Sequence, residues 1–173
     1  MRTILDKEAH FNELEEIITF RFMSKTELYE MIAAGELLLY SDRERIITQG
    51  DTTQSFYAVV RGSVEVNVSE SSGKDVYICT IGNGEVFGEA GIFMEVKRTA
   101  NVVSLGDSII FSLPRNKMIA FIRKHPVAGN KILMIIIYSL LKKLKEANQE
   151  LAFERQSDVD QGDIDAIIKD FAK

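Results

Sequence analysis

The residues with the clearest capacity for chemistry lie within residues 84–100 of this chain. Gly88 and Gly91 flank a carboxylate, Glu89, and an arginine follows at Arg98. Small residues let backbone N–H groups approach an anion closely, and a helix start carries a partial positive charge. An arginine can hold the same anion with charge-assisted hydrogen bonds. Because a carboxylate would repel that anion, Glu89 must face another group, such as a sugar hydroxyl.

An anion and a hydroxyl held a few ångströms apart describe a nucleotide whose phosphate folds back near its ribose. The stretch resembles the phosphate-binding cassette of cyclic nucleotide-binding domains, found in protein kinase A regulatory subunits, cyclic nucleotide-gated channels and the bacterial catabolite activator protein. Phe87-Gly88-Glu89 and Arg98-Thr99-Ala100 fit the family pattern, and Gly91-Ile92-Phe93 resembles its bacterial form. The resemblance covers about residues 24 to 155, with a departure at Lys97, where many members have proline.

The resemblance implies a role for each cassette residue. Glu89 would bind the ribose 2′-hydroxyl and Arg98 the cyclic phosphate, while the amides of Gly88, Ala90 and Ala100 would complete the phosphate nest. Phe87 and Thr99 belong to the same candidate site. Candidate base contacts on a later helix are Lys143, Lys145 and Asn148. The expected ligand is cAMP, with cGMP also bound because the Thr99 hydroxyl can bond a guanine amino group.

Simpler interpretations of the same residues remain open. Gly84, Gly88 and Gly91 could serve a tight turn, and Arg98 with Glu89 could form an ordinary salt bridge. A cyclic nucleotide-binding-like interaction protein without a ligand is therefore the alternative function. We expect no enzyme activity, metal or cofactor, because His10 and His125 are far apart and lack partners at metal-ligand spacing.

Composition narrows the class of protein. The chain has 173 residues, 46% of them hydrophobic, and a net charge of −5, which suits a globular domain and gives no reason to expect nucleic acid binding. A single cysteine, Cys79, fits a reducing compartment, so a cytoplasmic location is predicted. The most apolar run, Ile132 to Leu141, is half the length of a membrane span, about 20 residues.

The chain before residue 115 predicts helices followed by short strands. Apolar spacings within residues 4–22 suggest one amphipathic helix or two short ones, and Ser24 with Glu27 forms a capping box for a helix ending at Gly35. Residues 37–113 then contain many short strands separated by turn signals. Among them are Phe56–Arg61 and Ser63–Val68, with a turn signal at Gly62, and Ala100–Ser104 and Ser108–Leu113, with a turn signal at Gly106-Asp107. The predicted fold is α+β: an antiparallel, jelly-roll-like β-barrel with N-terminal helices and a long C-terminal helix.

The chain after residue 115 predicts a short helix at 116–124, then a long helix to about Arg155. A heptad seam on the long helix comprises Leu133, Ile137, Leu140, Leu144, Ala147 and Leu151. Its first half suits packing on the chain's own barrel. Its second half favours a coiled coil with a second copy, giving a candidate homodimer.

Residues 156–173 are predicted to form a polar acidic linker, Ser157 to Gly162, and a separate short helix. Ile164, Ile167, Ile168 and Phe171 would give that helix one apolar face. The predicted domains are an N-terminal helical segment (1–35), the barrel (36–115), the hinge and long helix (116–155) and this tail (156–173). With no effector segment expected, the output would pass to a partner protein or to a change of assembly, through rearranged C-terminal helices.

Overall fold

The computed structural model describes residues 1–94 and 96–171, except for the side chains of residue 150 and of residues 154–171. It contains two compact units, Met1–Leu133 and Met134–Lys173. The first unit holds the sheet and most helices. The boundary between the two units falls inside the last helix. The predicted domain divisions (residues 115/116 and 155/156) stay predictions.

The N-terminal segment is less helical than predicted. It contains a two-residue strand, β1 (Arg2–Thr3), a single 3₁₀ turn (Glu8–His10) and a short helix, α1 (Phe11–Glu15). β1 pairs with a later strand, so residues 1–35 are not a purely helical segment. The correction has a simple cause: α1 buries Leu14, but the next apolar side chains, Ile17 and Phe20, are buried from the turns that follow it.

Helix α2 (Lys25–Ala34) begins where its sequence predicts. The Ser24 side chain accepts from the Glu27 amide, and the Glu27 side chain accepts from the Ser24 amide, which completes the capping box. The helix ends at Gly35, whose backbone is extended. A Cβ at Gly35 would lie 2.3 Å from the Phe111 ring, so the glycine here permits close packing on the sheet.

Seven strands form one antiparallel sheet. After β1 come β2 (Glu36–Tyr40), β3 (Arg45–Ile47), β4 (Ser55–Ser69), β5 (Asp75–Ile81), β6 (Val86–Phe87) and β7 (Asn101–Pro114). The main path is β1-β2-β7-β4-β5, while β3 pairs with β7 and β6 with β4. All of these strand pairs are antiparallel, so the antiparallel α+β class is confirmed. The path has two ends, so closure into a barrel stays a prediction.

β4 and β7 are each one long strand where the sequence predicts two. The β4 backbone passes Gly62 with φ +87°, a conformation that glycine adopts without strain. The register between β4 and β7 shifts on either side of Arg61. A Cβ at Gly62 would lie 2.5 Å from Ser108 Oγ. Gly62 therefore lets two strands bend together in close contact, and it does not end a strand.

The start of β4 is buried on both faces, from Phe56 to Val60. Phe56 lies 6.5 Å from Phe20, which precedes α2, measured between ring centroids. Alternate side chains point to opposite faces of a strand, and Tyr57 packs with Phe87 in the cluster on the other face. Tyr57 is thereby placed on the side of the sheet that carries the cassette.

Helices complete the fold. A four-residue helix, α3 (Ala90–Phe93), follows β6, and α4 (Arg115–Lys124) follows β7. The last helix, α5, spans Pro126–Phe171. In the part of the chain that the structure describes, no helix is long and apolar enough to cross a membrane.

The predicted linker at Ser157–Gly162 is wrong at the level of the backbone, because α5 continues through it. The segment contains no proline and one glycine, and a single glycine costs a helix only about 1 kcal/mol. The predicted apolar face at Ile164, Ile167, Ile168 and Phe171 concerns side chains that lie outside the described ones.

A candidate anion-binding cassette

The cassette is formed by a strand, a turn and a short helix. β6 pairs with β4 through Tyr57–Phe87 and Ala58–Val86. Gly88 follows with φ +73°, which turns the chain so that Glu89 is the N-cap of α3. A residue with a side chain would be strained at this φ. The glycine predicted for the cassette is therefore required by its backbone conformation.

Arg98 is buried in this site and is held there by hydrogen bonds of its backbone and its side chain. Its backbone is held by two hydrogen bonds, from Arg98 N to Asp51 O at 2.7 Å and from Gly50 N to Arg98 O at 2.8 Å. Its Nη1 donates to Gly88 O at 3.1 Å, and its Nη2 donates to Ser55 O at 2.8 Å. Only 8% of Arg98 is exposed. The arginine thus joins β4, the cassette turn and the Gly50 turn.

Gly88 and Gly91 make room for this guanidinium. A Cβ at Gly91 would lie 2.9 Å from Arg98 Nη1 and 3.2 Å from Cζ. A Cβ at Gly88 would lie 3.1 Å from Nη1 and 3.0 Å from both Ser55 O and Tyr57 Cδ2. The sequence predicts that these small residues let an anion approach the backbone. In the structure they leave space for the Arg98 guanidinium.

Aromatic rings lie beside the guanidinium. Tyr57 and Phe87 stack with centroids 5.1 Å apart and an interplanar angle of 11°. Arg98 Cζ lies 5.7 Å from the Tyr57 centroid, within the range of a cation–π attraction. Tyr57 is a site residue that sequence reasoning missed. Its alternation on β4, two residues from Ser55, is the signal that could have placed it here.

Burial and neighbouring groups act in opposite directions on Arg98. Desolvation lowers its pKa from the ordinary value, while Tyr57, Asp51 and Glu89 act to raise it. Arginine is ordinarily charged far above neutral pH, so the buried group is a cation. Its Nε is buried, and among the residues that the structure describes it has no hydrogen-bond partner.

Glu89 is a second buried charged residue, 6% exposed, and it is close enough for its charge to act on Arg98. The structure therefore brings together Phe87, Gly88, Glu89 and Arg98, four of the predicted site residues. Ala90 is exposed on the first turn of α3, Thr99 is exposed, and Ala100 is half-buried just before β7.

Lys143, Lys145 and Asn148 lie on α5 within the second unit, where all three are exposed. Their contact with a base stays a prediction. Among the described residues, no group of three histidine, cysteine, aspartate or glutamate side chains is arranged to hold a metal ion.

Comparison with known proteins identifies the family. Residues 37–125, more than half of the chain, match the model of the cyclic nucleotide-binding domain. The chain therefore belongs to this family, and the family predicted from the cassette is confirmed.

Individual relatives agree with this assignment. A cyclic AMP receptor protein of Thermus thermophilus is 31% identical over 113 residues, covering 65% of this chain and 50% of that protein. A cyclic nucleotide-gated channel of Caenorhabditis elegans is 30% identical over 142 residues, covering 79% of this chain and 19% of the channel. This chain thus spans half or less of these two relatives.

Solved structures show the same fold. The catabolite activator protein of Thermus thermophilus matches with a TM-score of 0.66 and 27% identity, covering 78% of this chain and 62% of that one. A cyclic nucleotide-binding domain from Methylobacillus flagellatus has a TM-score of 0.75 at 20% identity, covering 84% of each chain. Both likenesses agree with the fold of the family identified above.

Proposed function

We propose that the site around Arg98 and Glu89 binds a cyclic nucleotide. Arg98 takes the cyclic phosphate together with the amides of Gly88 and Ala90, and Glu89 accepts a hydrogen bond from the ribose 2′-hydroxyl. The expected ligand is cAMP, with cGMP also bound. The domain senses the nucleotide and performs no chemistry on it.

The unpartnered Nε of buried Arg98 is the observation that carries this proposal. A buried donor without an acceptor costs about 1–3 kcal/mol, so such a group in a folded protein calls for an explanation. A phosphate oxygen would satisfy it with a charge-assisted bond. Glu89, equally buried beside the same group, offers the hydroxyl acceptor that a ribose needs.

The names of the relatives support this class of ligand and leave its base open. One relative is a cyclic AMP receptor protein, and the solved regulatory domain of a Toxoplasma gondii protein kinase A contains cAMP. A Drosophila melanogaster relative is a cGMP-dependent protein kinase. A Xanthomonas campestris regulator of the same fold is described as c-di-GMP responsive.

The test is thermal shift and calorimetry with cAMP, cGMP, c-di-GMP and non-cyclic 5′-AMP. We expect stabilisation by cAMP, a smaller one by cGMP and none by 5′-AMP. The substitution Thr99→Ala, measured with cAMP and cGMP, examines the base preference. The expected order would be reversed if the wild type preferred cGMP and if the affinity for cGMP fell more than tenfold in this variant.

A ligand-free interaction domain is the second candidate, and one observation favours it. Both Nη nitrogens of Arg98 already donate to carbonyls of the chain itself, those of Gly88 and Ser55. An arginine satisfied in this way can serve as a purely structural bridge. The absence of any response to the four nucleotides would favour this candidate.

We also propose that a second copy of the chain covers the heptad seam of α5. Four seam residues in the second unit are large and exposed: Ile137 (55%), Leu140 (39%), Leu144 (57%) and Leu151 (52%). Their a/d spacing is typical of a coiled coil. Light scattering coupled to gel filtration should give the mass of a dimer, and a monomer at all concentrations would reject this proposal.

A further inference from the structure

Helix α3 is too short to hold its own conformation. It has four residues, and the Met94 N–H that follows it donates to Ala90 O at 3.0 Å. Isolated helices shorter than about 12–15 residues are marginal in water. The position of α3 must therefore be set by contacts from other elements, and these contacts decide the geometry of the cassette.

One arginine holds each end of α3. At the start, Arg98 Nη1 donates to Gly88 O. At the other end, Arg115 Nε donates to Ile92 O at 2.7 Å. A carbonyl in the last turn of a helix has no partner within that helix, and a cation there is favoured by the helix dipole. Arg115 thus satisfies a group that α3 itself leaves unsatisfied.

The two arginines are anchored to neighbouring residues where β4 begins, Arg98 to Ser55 and Arg115 to the preceding Gln54. Arg98 Nη2 donates to Ser55 O at 2.8 Å. The backbone N–H of Arg115 donates to Gln54 O, also at 2.8 Å. Arg115 is in addition the first residue of α4. Helix α3 is therefore held at one end by Arg98, the proposed ligand-binding residue, and at the other by Arg115, the first residue of α4.

We propose that Arg115 is a positioning residue that fixes α3 in the binding geometry and couples its movement to α4. The proposal rests on the proposed function, because the movement it transmits is the response of Arg98 and α3 to a cyclic nucleotide. When Arg98 turns from its carbonyl partners toward a phosphate, the start of α3 is released. The Arg115–Ile92 bond then carries the displacement of α3 to the first turn of α4.

The experiment compares Arg115→Ala, Arg115→Lys and a matched control, Lys117→Ala. Lys117 is exposed on the same turn of α4, so its removal changes the net charge equally without touching Ile92. Calorimetry with cAMP and hydrogen exchange of α3 and α4, with and without cAMP, are measured for each variant. Far-UV circular dichroism establishes that each variant is folded.

We expect Arg115→Ala to weaken cAMP binding about tenfold, within the range for losing a hydrogen bond to a charged group. Lys117→Ala should bind as the wild type does. The lysine variant should recover part of the affinity, because its ammonium can also donate to Ile92 O. In Arg115→Ala, cAMP should still change exchange in α3 but no longer in α4.

Two results would overturn the proposal: affinity equal to that of Lys117→Ala, or an α4 that responds to cAMP as in the wild type. If Arg115→Ala does not fold, the cAMP affinity and the α4 exchange of Arg115→Lys are compared with those of Lys117→Ala instead. If the wild type binds no cyclic nucleotide, the proposed function fails. Hydrogen exchange of the Met94 amide without ligand then tests the positioning role of Arg115. Equal exchange rates of this amide in Arg115→Ala and Lys117→Ala would reject that role.

Discussion

The cassette and the exposed stretch of α5 depart from the usual distribution of side chains in opposite ways. In the cassette, Glu89 and Arg98 are charged and less than a tenth exposed. Along α5, Ile137 and Leu144 are apolar and more than half exposed. Charged residues are almost never buried unless they are paired, and large exposed apolar patches mark interaction surfaces.

The two regions differ in what stabilises the buried charges of the cassette and the exposed apolar side chains of α5. Arg98 is fixed by backbone carbonyls from two other segments and by the absence of side chains at Gly88 and Gly91. The stretch of α5 needs no such support, since an α-helix satisfies its own backbone. Under the proposed function, the cassette is the site of a small polar ligand, whereas the α5 seam suits a partner that brings its own apolar surface.

The largest expected effect is that of Arg98→Ala on cyclic nucleotide binding. The variant should lose about 2–5 kcal/mol of binding free energy, as for breaking a buried, hydrogen-bonded charge pair. Calorimetry with cAMP measures it, and Arg45→Ala, which removes an exposed arginine of β3, is the control. If the variant bound cAMP within threefold of the wild-type affinity, Arg98 would not be the phosphate ligand, and its burial would have no explanation in ligand binding.

Leu144→Lys tests the other side of the comparison. A lysine keeps the helix but removes a seam side chain, and losing such a side chain from a packed interface costs about 2–5 kcal/mol. Sedimentation equilibrium should show the dimer weakened at least tenfold. Tyr138→Lys is the control, because Tyr138 is also exposed but lies off the seam. Equal effects at the two positions would contradict a coiled-coil seam.

Glu89→Ala should cost about 1–3 kcal/mol of cAMP binding, since the lost bond has a charged acceptor. The partner measurement uses 2′-deoxy-cAMP. The wild type should lose a similar amount with this ligand, and the variant should lose little more. Additive losses would show that Glu89 does not meet the ribose.

Gly91→Ala should destabilise the cassette without removing any charge. The new methyl group would lie 2.9 Å from Arg98 Nη1, and overpacking of this kind costs about 1–3 kcal/mol. Urea unfolding and cAMP affinity should both be reduced. Gly82→Ala is the control, because the nearest atom to its added Cβ is 3.6 Å away. Equal tolerance at both positions would mean that Arg98 has room to shift.

The smallest effect is expected at Glu30, outside both regions. Hydrogen bonds from Lys124 and then His125 hold the pKa of this carboxyl below its ordinary value. A depressed pKa in the folded state stabilises the protein above the unfolded-state pKa, and this contribution is lost as the pH falls through the folded-state value.

Glu30→Gln should therefore lower the melting temperature slightly near neutral pH. Its difference from the wild type should vanish in acid, below the folded-state pKa of Glu30. Melting curves between about pH 3 and pH 7, with Glu36→Gln on β2 as control, measure this. A difference that grows on acidification would contradict the sign.

The sequence alone determined whatever depends on neighbours along the chain. The capping box of Ser24 and Glu27 needs residues three apart. The cassette was recognisable because Phe87-Gly88-Glu89 and Arg98-Thr99-Ala100 are close in sequence. Each of these signals is local, so each can be read before the chain folds.

Tertiary structure decided what depends on contacts between distant segments. Arg98 and Ser55 are 43 residues apart, and no local pattern shows that the arginine is buried on a carbonyl of β4. Gly62 reads as a turn, yet contact with Ser108 makes it a bend inside one strand. The bond of Arg115 to Ile92 likewise arises only when β7 brings α4 beside α3. Propensity is a weak local preference, and packing between segments overrides it at these positions.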